Sequence, residues 1–319
     1  MPQDSQQLRE DLAACLPSLV IDKVAAESGQ RVVYFAHFED ALIPLDVPAP
    51  DNDVPQEEGF LHGWERWGRI VVKVVAGAAP DTLARLQAET AILEEVRPAS
   101  FPRLLYSNLF TENPVTEKRL SERLYVTVEE FVESNPLSEI SDAYRGNQRA
   151  IVELAIGVAS AVLPLWVHAR RFVHRDIKPA NILIRPSGEV VVIDLGIVRE
   201  TGVSGVTEDG WGRAPLTLGF AAPEQIANDK NAISFKSDFF SIGVLMYLLM
   251  SGRSPFHHQP NMQAHEVAIA TETFVPPSLK DVAGASDAFA GFVEKAMSKA
   301  PWQRHRTPQM FIADLIAMR

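Results

Sequence analysis

Two short stretches hold most of the groups in this sequence that can do chemistry. Residues 174–181 read HRDIKPAN, which puts a carboxylate (Asp176), an ammonium (Lys178) and a carboxamide (Asn181) within six positions. An apolar, strand-like run from Val190 to Ile193 ends directly at a further carboxylate, Asp194. Asn181 and Asp194 offer hard oxygen donors, a set suited to Mg²⁺ or Mn²⁺. No Cys/His cluster points to zinc, and His257 with His258 reads as a polar loop. Lys73 stands in IVVKVV, and along a strand alternate residues face one way. Glu89 stands in a helical stretch from Asp81 to Val96. Alone, a strand lysine or a helix glutamate is ordinarily a solvated surface charge, so these two acquire meaning only from their companions.

The elements that must position these groups change character once along the chain. From Val20 to Val132 short β-rich runs dominate (VIDKVA, RVVYFAHF, RIVVKVV, LYVTVEEFV), with the Asp81–Val96 helix between them. From about Gln148 the pattern is mainly helical, broken by the short strands NILIRP and EVVVIDL. The prediction is an α+β, bilobal fold: a small β-rich N-lobe over 20–133 and a larger α-helical C-lobe over 139–319. A hinge falls at about 133–138, and a nucleotide-sized ligand is expected between the lobes. Residues 1–19 read as a helical extension. Leu8, Leu12, Cys15, Leu16 and Leu19 share one face of it, which most simply packs on its own domain. An insertion at 39–69 opens with the acidic, proline-rich PLDVPAPDNDVPQEEG, a composition expected to be loosely packed or disordered. Trp64 and Trp67 follow it. Two readings of them stand: they cover the outer face of the small lobe, or they form a docking element for a regulatory protein partner.

Composition narrows the partners. The chain has 319 residues, 46% of them hydrophobic, with a net charge of −11, which argues against a dedicated nucleic-acid surface. Its single cysteine, Cys15, allows no intramolecular disulfide and fits a reducing compartment. The first fifteen residues mix charges without an apolar core, unlike a signal peptide, so a cytoplasmic location and no membrane partner are expected. Phe239 to Met250 is shorter than the roughly 20 residues a bilayer needs. Ile151 to Ala169 is nearly long enough but carries Glu153 and Pro164, and reads as a buried helix.

Taken together, VVK at 71–73, Glu89, HRDIKPAN, DLG at 194–196, TLGF at 217–220, AAPE at 221–224 and SDFFSIGVLMYLLMSGRSPF at 237–256 resemble the motif series of bacterial eukaryotic-type (Hanks-type) serine/threonine protein kinases. The match runs from about Val20 to the C-terminus. It implies ATP and Mg²⁺ (or Mn²⁺) as cofactors, protein Ser/Thr hydroxyls as substrates, and autophosphorylation. By this resemblance Lys73 contacts the α and β phosphates while Glu89 holds it in place. Asp176 aligns the attacking hydroxyl, Lys178 neutralises the moving phosphoryl group, and Thr217 bridges the two. Asn181 and Asp194 hold the metal, and His174 packs beneath the DLG turn. Arg304, in KAPWQRHR, pairs with Glu224, and Asp238 has a structural place. Arg175 either receives an activation-loop phosphate, for which Thr207, Ser204 and Thr201 are the candidates, or holds that loop without one.

The sequence departs from the pattern at the nucleotide-covering loop. Ala26, Ser28 and Arg31 stand where the family has glycines, leaving only Gly29, out of register. Either the small residues are tolerated and Arg31 points outward or adds positive charge near the nucleotide, or nucleotide use is altered. A pseudokinase scaffold and a small-molecule phosphotransferase are therefore the rival readings. The TLGF to AAPE segment separates this chain from the second.

Overall fold

Strict alternation of apolar residues organises the first of two compact units, which comprises residues 1–95 and 102–132. The computed structural model describes residues 4–28, 31–39, 43–44, 60–61, 64–114, 116–195, 199–200 and 218–319. Strands β1 (Leu19–Ser28), β2 (Arg31–Phe38), β3 (Ile70–Ala76), β4 (Leu104–Glu112) and β5 (Arg119–Glu130) form one antiparallel sheet in the order β1-β2-β3-β5-β4. On β2 the side chains of Val32, Tyr34, Ala36 and Phe38 are buried, and on β3 those of Ile70, Val72 and Val74 join the same cluster. That leaves Arg31 and Lys73 on the opposite face.

The apolar face is covered by helix α1 (Gln6–Cys15), through Leu8, Leu12, Cys15 and the following Leu16. Ser5 caps this helix by accepting from the Leu8 N–H, and the Tyr34 hydroxyl donates to Asp4 at 2.9 Å. The predicted extension is thus part of the small unit's core. Burial pushes the Cys15 thiol up to about 12, so it packs as a small hydrophobe and is a poor nucleophile. Trp64 is 1% exposed, stacked on Trp67 at 4.7 Å between ring centroids and set against Phe38 and Tyr106. Of the two tryptophan readings, Trp64 takes the packing one. Helix α2 (Pro80–Val96), which carries Glu89, is tied to β5 by a 2.8 Å hydrogen bond between Thr90 Oγ1 and the Tyr125 hydroxyl.

The second unit comprises residues 96–101 and 133–319. Sequence periodicity places 96–101 with the small lobe. In the structure the Val192 N–H donates to the Ser100 carbonyl at 2.9 Å, which ties that segment to the strand leading to Asp194. Helix α3 (Gln148–Val167) is apolar and long enough by length and composition to cross a membrane, and in the fold three of the elements it packs against cover most of it. These are strand β8 (Val190–Val192), helix α4 (Phe235–Ser251) and helix α6 (Pro308–Ile316). Gly157 lets α3 approach β8 closely: a Cβ there would meet Val190 Cγ2 at 2.5 Å. Gly243 does the same between α4 and helix α5 (Asp287–Ala296), where a Cβ would meet Ala296 Cβ at 2.9 Å.

His305 is buried against Phe292, Phe311 and Phe239. Burial first, and then Lys295, push its pKa down to about 4. The folded-state value is below that of the unfolded chain. The unfolded chain therefore takes up a proton that the folded one refuses as pH falls from about 6.5 to about 4. Stability is expected to drop by up to about 3 kcal/mol across that window. Urea unfolding of wild type and His305→Leu at stepped pH checks this, since the variant should lose that part of the slope.

Candidate functional site

In the first unit the site is built around β3. Lys73 is paired with Val33 of β2 on one side and Thr127 of β5 on the other, so it stands on a central strand. Its side chain is nearly buried in a recess also lined by Arg31, Glu89, Thr127 and Glu129. Lys73 Nζ is 2.7 Å from Glu129 Oε1, and Arg31 Nη2 is 3.5 Å from Glu89 Oε2. Arg31 therefore does not point outward: it sits on the same face as Lys73, brings positive charge to that recess and reaches helix α2. Ala26 and Ser28 are strand residues, paired in register with Val33 and Arg31, so the segment expected to be a glycine-rich loop is an antiparallel hairpin up to Ser28. Gly29 lies outside the described residues.

In the second unit the HRDIKPAN loop runs from strand β6 (Phe172–Val173) to strand β7 (Ile182–Ile184). Asp238, in the first turn of α4 and fully buried, holds the start of this loop. It accepts from the His174 N–H at 2.9 Å, the Arg175 N–H at 2.8 Å and Trp166 Nε1 at 2.7 Å. Burial pushes the Asp238 pKa up, while His174 and these donors pull it back toward the charged form. Arg175 adopts a left-handed φ of 70°, a conformation that costs energy in a non-glycine residue and persists here because its N–H is anchored on Asp238. His174 is fully buried, and burial lowers its pKa. Its Nδ1 accepts from the Asp176 N–H at 3.3 Å, so the ring braces the start of the loop. A neutral, buried imidazole in that role is a support and not a proton shuttle.

The polar groups converge on Asp176. Lys178 Nζ lies 2.8 Å from Asp176 Oδ2, and Asn181 Nδ2 donates to the same oxygen at 2.8 Å and to the Asp176 carbonyl at 2.9 Å. The Ile193 N–H donates to the Asn181 carbonyl at 3.0 Å, which sets Asp194 beside Asn181 at the open ends of β7 and β8. Asp194 has a φ of 59°, a second left-handed non-glycine residue at this site. Two oxygen-donor residues set next to each other by the backbone in this way are of the chemical type that suits a hard divalent cation. Leu195 is buried.

Farther from these groups, Arg304 and Glu224 form a buried two-pronged pair at 2.6 and 2.8 Å. Ser237 Oγ donates to the same carboxylate at 2.7 Å. Gln225 Nε2 donates to the Arg175 carbonyl at 2.9 Å, which links this pair's helix to the HRDIKPAN loop. Thr217 and the phosphosite candidates Thr207, Ser204 and Thr201 lie outside the described residues. One contributor, Glu129, and one set of contacts, those of Asp238, went unread in the sequence. Glu129 stands two positions after Thr127 on one strand face, and that spacing was the available signal. Asp238's triple acceptance cannot be read from order along the chain.

Comparison with known proteins agrees with this arrangement. The protein kinase domain family model matches residues 69–315. A probable serine/threonine-protein kinase PknB of Bifidobacterium longum is 30% identical over 260 residues, covering 79% of this chain and 36% of that protein. Serine/threonine-protein kinase C of Synechocystis is 31% identical over 150 residues (45% of this chain, 27% of that protein). Serine/threonine-protein kinase PknB of Mycobacterium tuberculosis is 33% identical over 150 residues (47% and 23%). The chain thus spans little more than a third, or less, of the length of these relatives. With its sheet-built first unit, its helical second unit and the matched motifs, the chain belongs to the protein kinase domain family, in its bacterial Hanks-type branch.

Proposed function

We propose that this chain is an ATP- and Mg²⁺-dependent protein kinase that phosphorylates Ser and Thr hydroxyls, including its own. The observation that carries the reading is the Asp176 cluster, in which one carboxylate is oriented by both Lys178 and Asn181 at 2.8 Å on a loop anchored to a buried aspartate. Asp176 aligns the substrate hydroxyl and accepts its proton as the oxygen attacks phosphorus in line. Lys178, already beside it, neutralises charge on the transferred group, and its place two residues after the aspartate is the mark of the Ser/Thr branch. Asn181 and Asp194 would hold the metal, which supplies charge neutralisation across the phosphates when bound. Lys73 binds the phosphates, with Glu89 lining the same recess. The work of the site is mainly positioning and preorganised electrostatics. A cytoplasmic location and protein substrates belong to the same reading, as does a regulatory partner engaging the 39–69 insertion.

Lys73→Met is expected to lower phosphate transfer to a mixed Ser/Thr peptide pool by about 10²-fold or more, because the lysine's interaction with the phosphates is lost. Transfer is followed with labelled Mg-ATP beside a panel of small alcohols. Peptide labelling in wild type alone supports the reading. Near-normal transfer by the variant, or labelling confined to the alcohols, contradicts it.

A further inference from the structure

Four charged side chains meet on one face of the small unit's sheet, and they come as two cations and two anions. Arg31 is on β2, Lys73 on β3, Glu129 on β5 and Glu89 on α2, all lining one recess. The family pattern accounts for Lys73 and Glu89 only. Glu129 reaches Lys73 because of register: Lys73 is opposite Thr127, and Glu129 is two residues farther along the same face of β5. That diagonal is within reach of two long side chains. Both ends of this ion pair are about nine-tenths buried, at 10% exposure each, and only 2.7 Å apart. Charges so nearly removed from water are costly to separate unless a replacement charge arrives.

We propose that Glu129 is a second carboxylate on the nucleotide-binding lysine that competes with the nucleotide's phosphates for it. Arg31 is the compensating cation that stays on Glu89. The inference rests on the nucleotide-site reading above and deepens it. An incoming phosphate displaces the Glu129 carboxylate from the Lys73 ammonium, and that carboxylate then faces added negative charge at close range. Phosphate binding is weaker by the strength of the contact given up. Arg31, standing where the family has a glycine, brings one positive charge to the same recess and offsets the extra acid. The glycine-poor hairpin and the extra glutamate are therefore two halves of one charge arrangement.

Glu129→Gln keeps the shape and a hydrogen-bond acceptor for Lys73 while removing the competing charge. Titration of wild type and variant with Mg-ADP and with adenosine separates charge from shape, since adenosine carries no phosphate. Mg-ADP is expected to bind the variant about fivefold tighter or more, with adenosine affinity unchanged. Unchanged or weaker Mg-ADP binding overturns the proposal and leaves the kinase reading standing. An equal shift for both ligands also overturns it, because it marks a change of pocket shape. Failure of wild type to bind either ligand sinks the nucleotide-site reading itself, and the proposal with it. Should Glu129→Gln not fold, Glu129→Met poses the same question.

Discussion

Replacing Asp176 by Asn is expected to lower kcat by about 10²- to 10⁴-fold while leaving the protein folded. In the proposed reaction the carboxylate has two separable jobs, and Asn keeps only one of them. It cannot take the proton of an attacking hydroxyl. Its amide oxygen can still stand in for Asp176 Oδ2 and accept from the Lys178 ammonium and the Asn181 amide, so the neighbours stay satisfied while the negative charge and the base are lost. The loop itself should survive, because its anchors are backbone bonds from His174 and Arg175 to Asp238 that the substitution does not touch. Steady-state kinetics on a Ser/Thr peptide, beside the thermal midpoint of each protein, checks both halves. A variant with kcat within a few-fold of wild type removes Asp176 from the chemistry.

Arg304→Ala should be the most damaging change away from the reacting groups. It is expected to destabilise the second unit by about 3–5 kcal/mol, since it leaves a buried carboxylate without its counter-charge. Arg304 makes the two-pronged contact with Glu224 and also donates to the carbonyls of Ser298, Lys236 and Lys299, so one side chain ties three segments together. Arg304→Lys should recover little of this, because a single ammonium cannot reproduce the planar fork. Removing both charges, in Arg304→Ala with Glu224→Leu, should be less costly than the sum of the singles, because the stranded carboxylate is gone. Denaturant unfolding of the four proteins gives the coupling. Strict additivity would mean that the pair is not an energetic unit.

Much of this was legible in the sequence because the signals were local. HRDIKPAN and the strand ending at Asp194 each lie in one short stretch, and alternation in IVVKVV gave the facing of Lys73. The facing of α1 was equally plain from Leu8, Leu12, Cys15 and Leu16. Charge pairings across strands were not legible, since Glu129 meets Lys73 only through the register of β3 with β5, and register depends on the whole sheet. The direction of Arg31 stayed open for the same reason. Its strand pairing with Ser28 turns the side chain onto the Lys73 face. The assignment of 96–101 also depended on a distant partner, the backbone of Val192.

The central claim is that the Asp176 cluster transfers phosphate to protein hydroxyls. It is tested most directly by the intact mass of phosphatase-treated protein after incubation with Mg-ATP, beside Asp176→Asn treated identically. Stepwise gains of one phosphate mass each in wild type, with none in the variant, are the predicted result. Equal gains in both proteins, or none in wild type even with a Ser/Thr peptide pool as acceptor, would contradict the account.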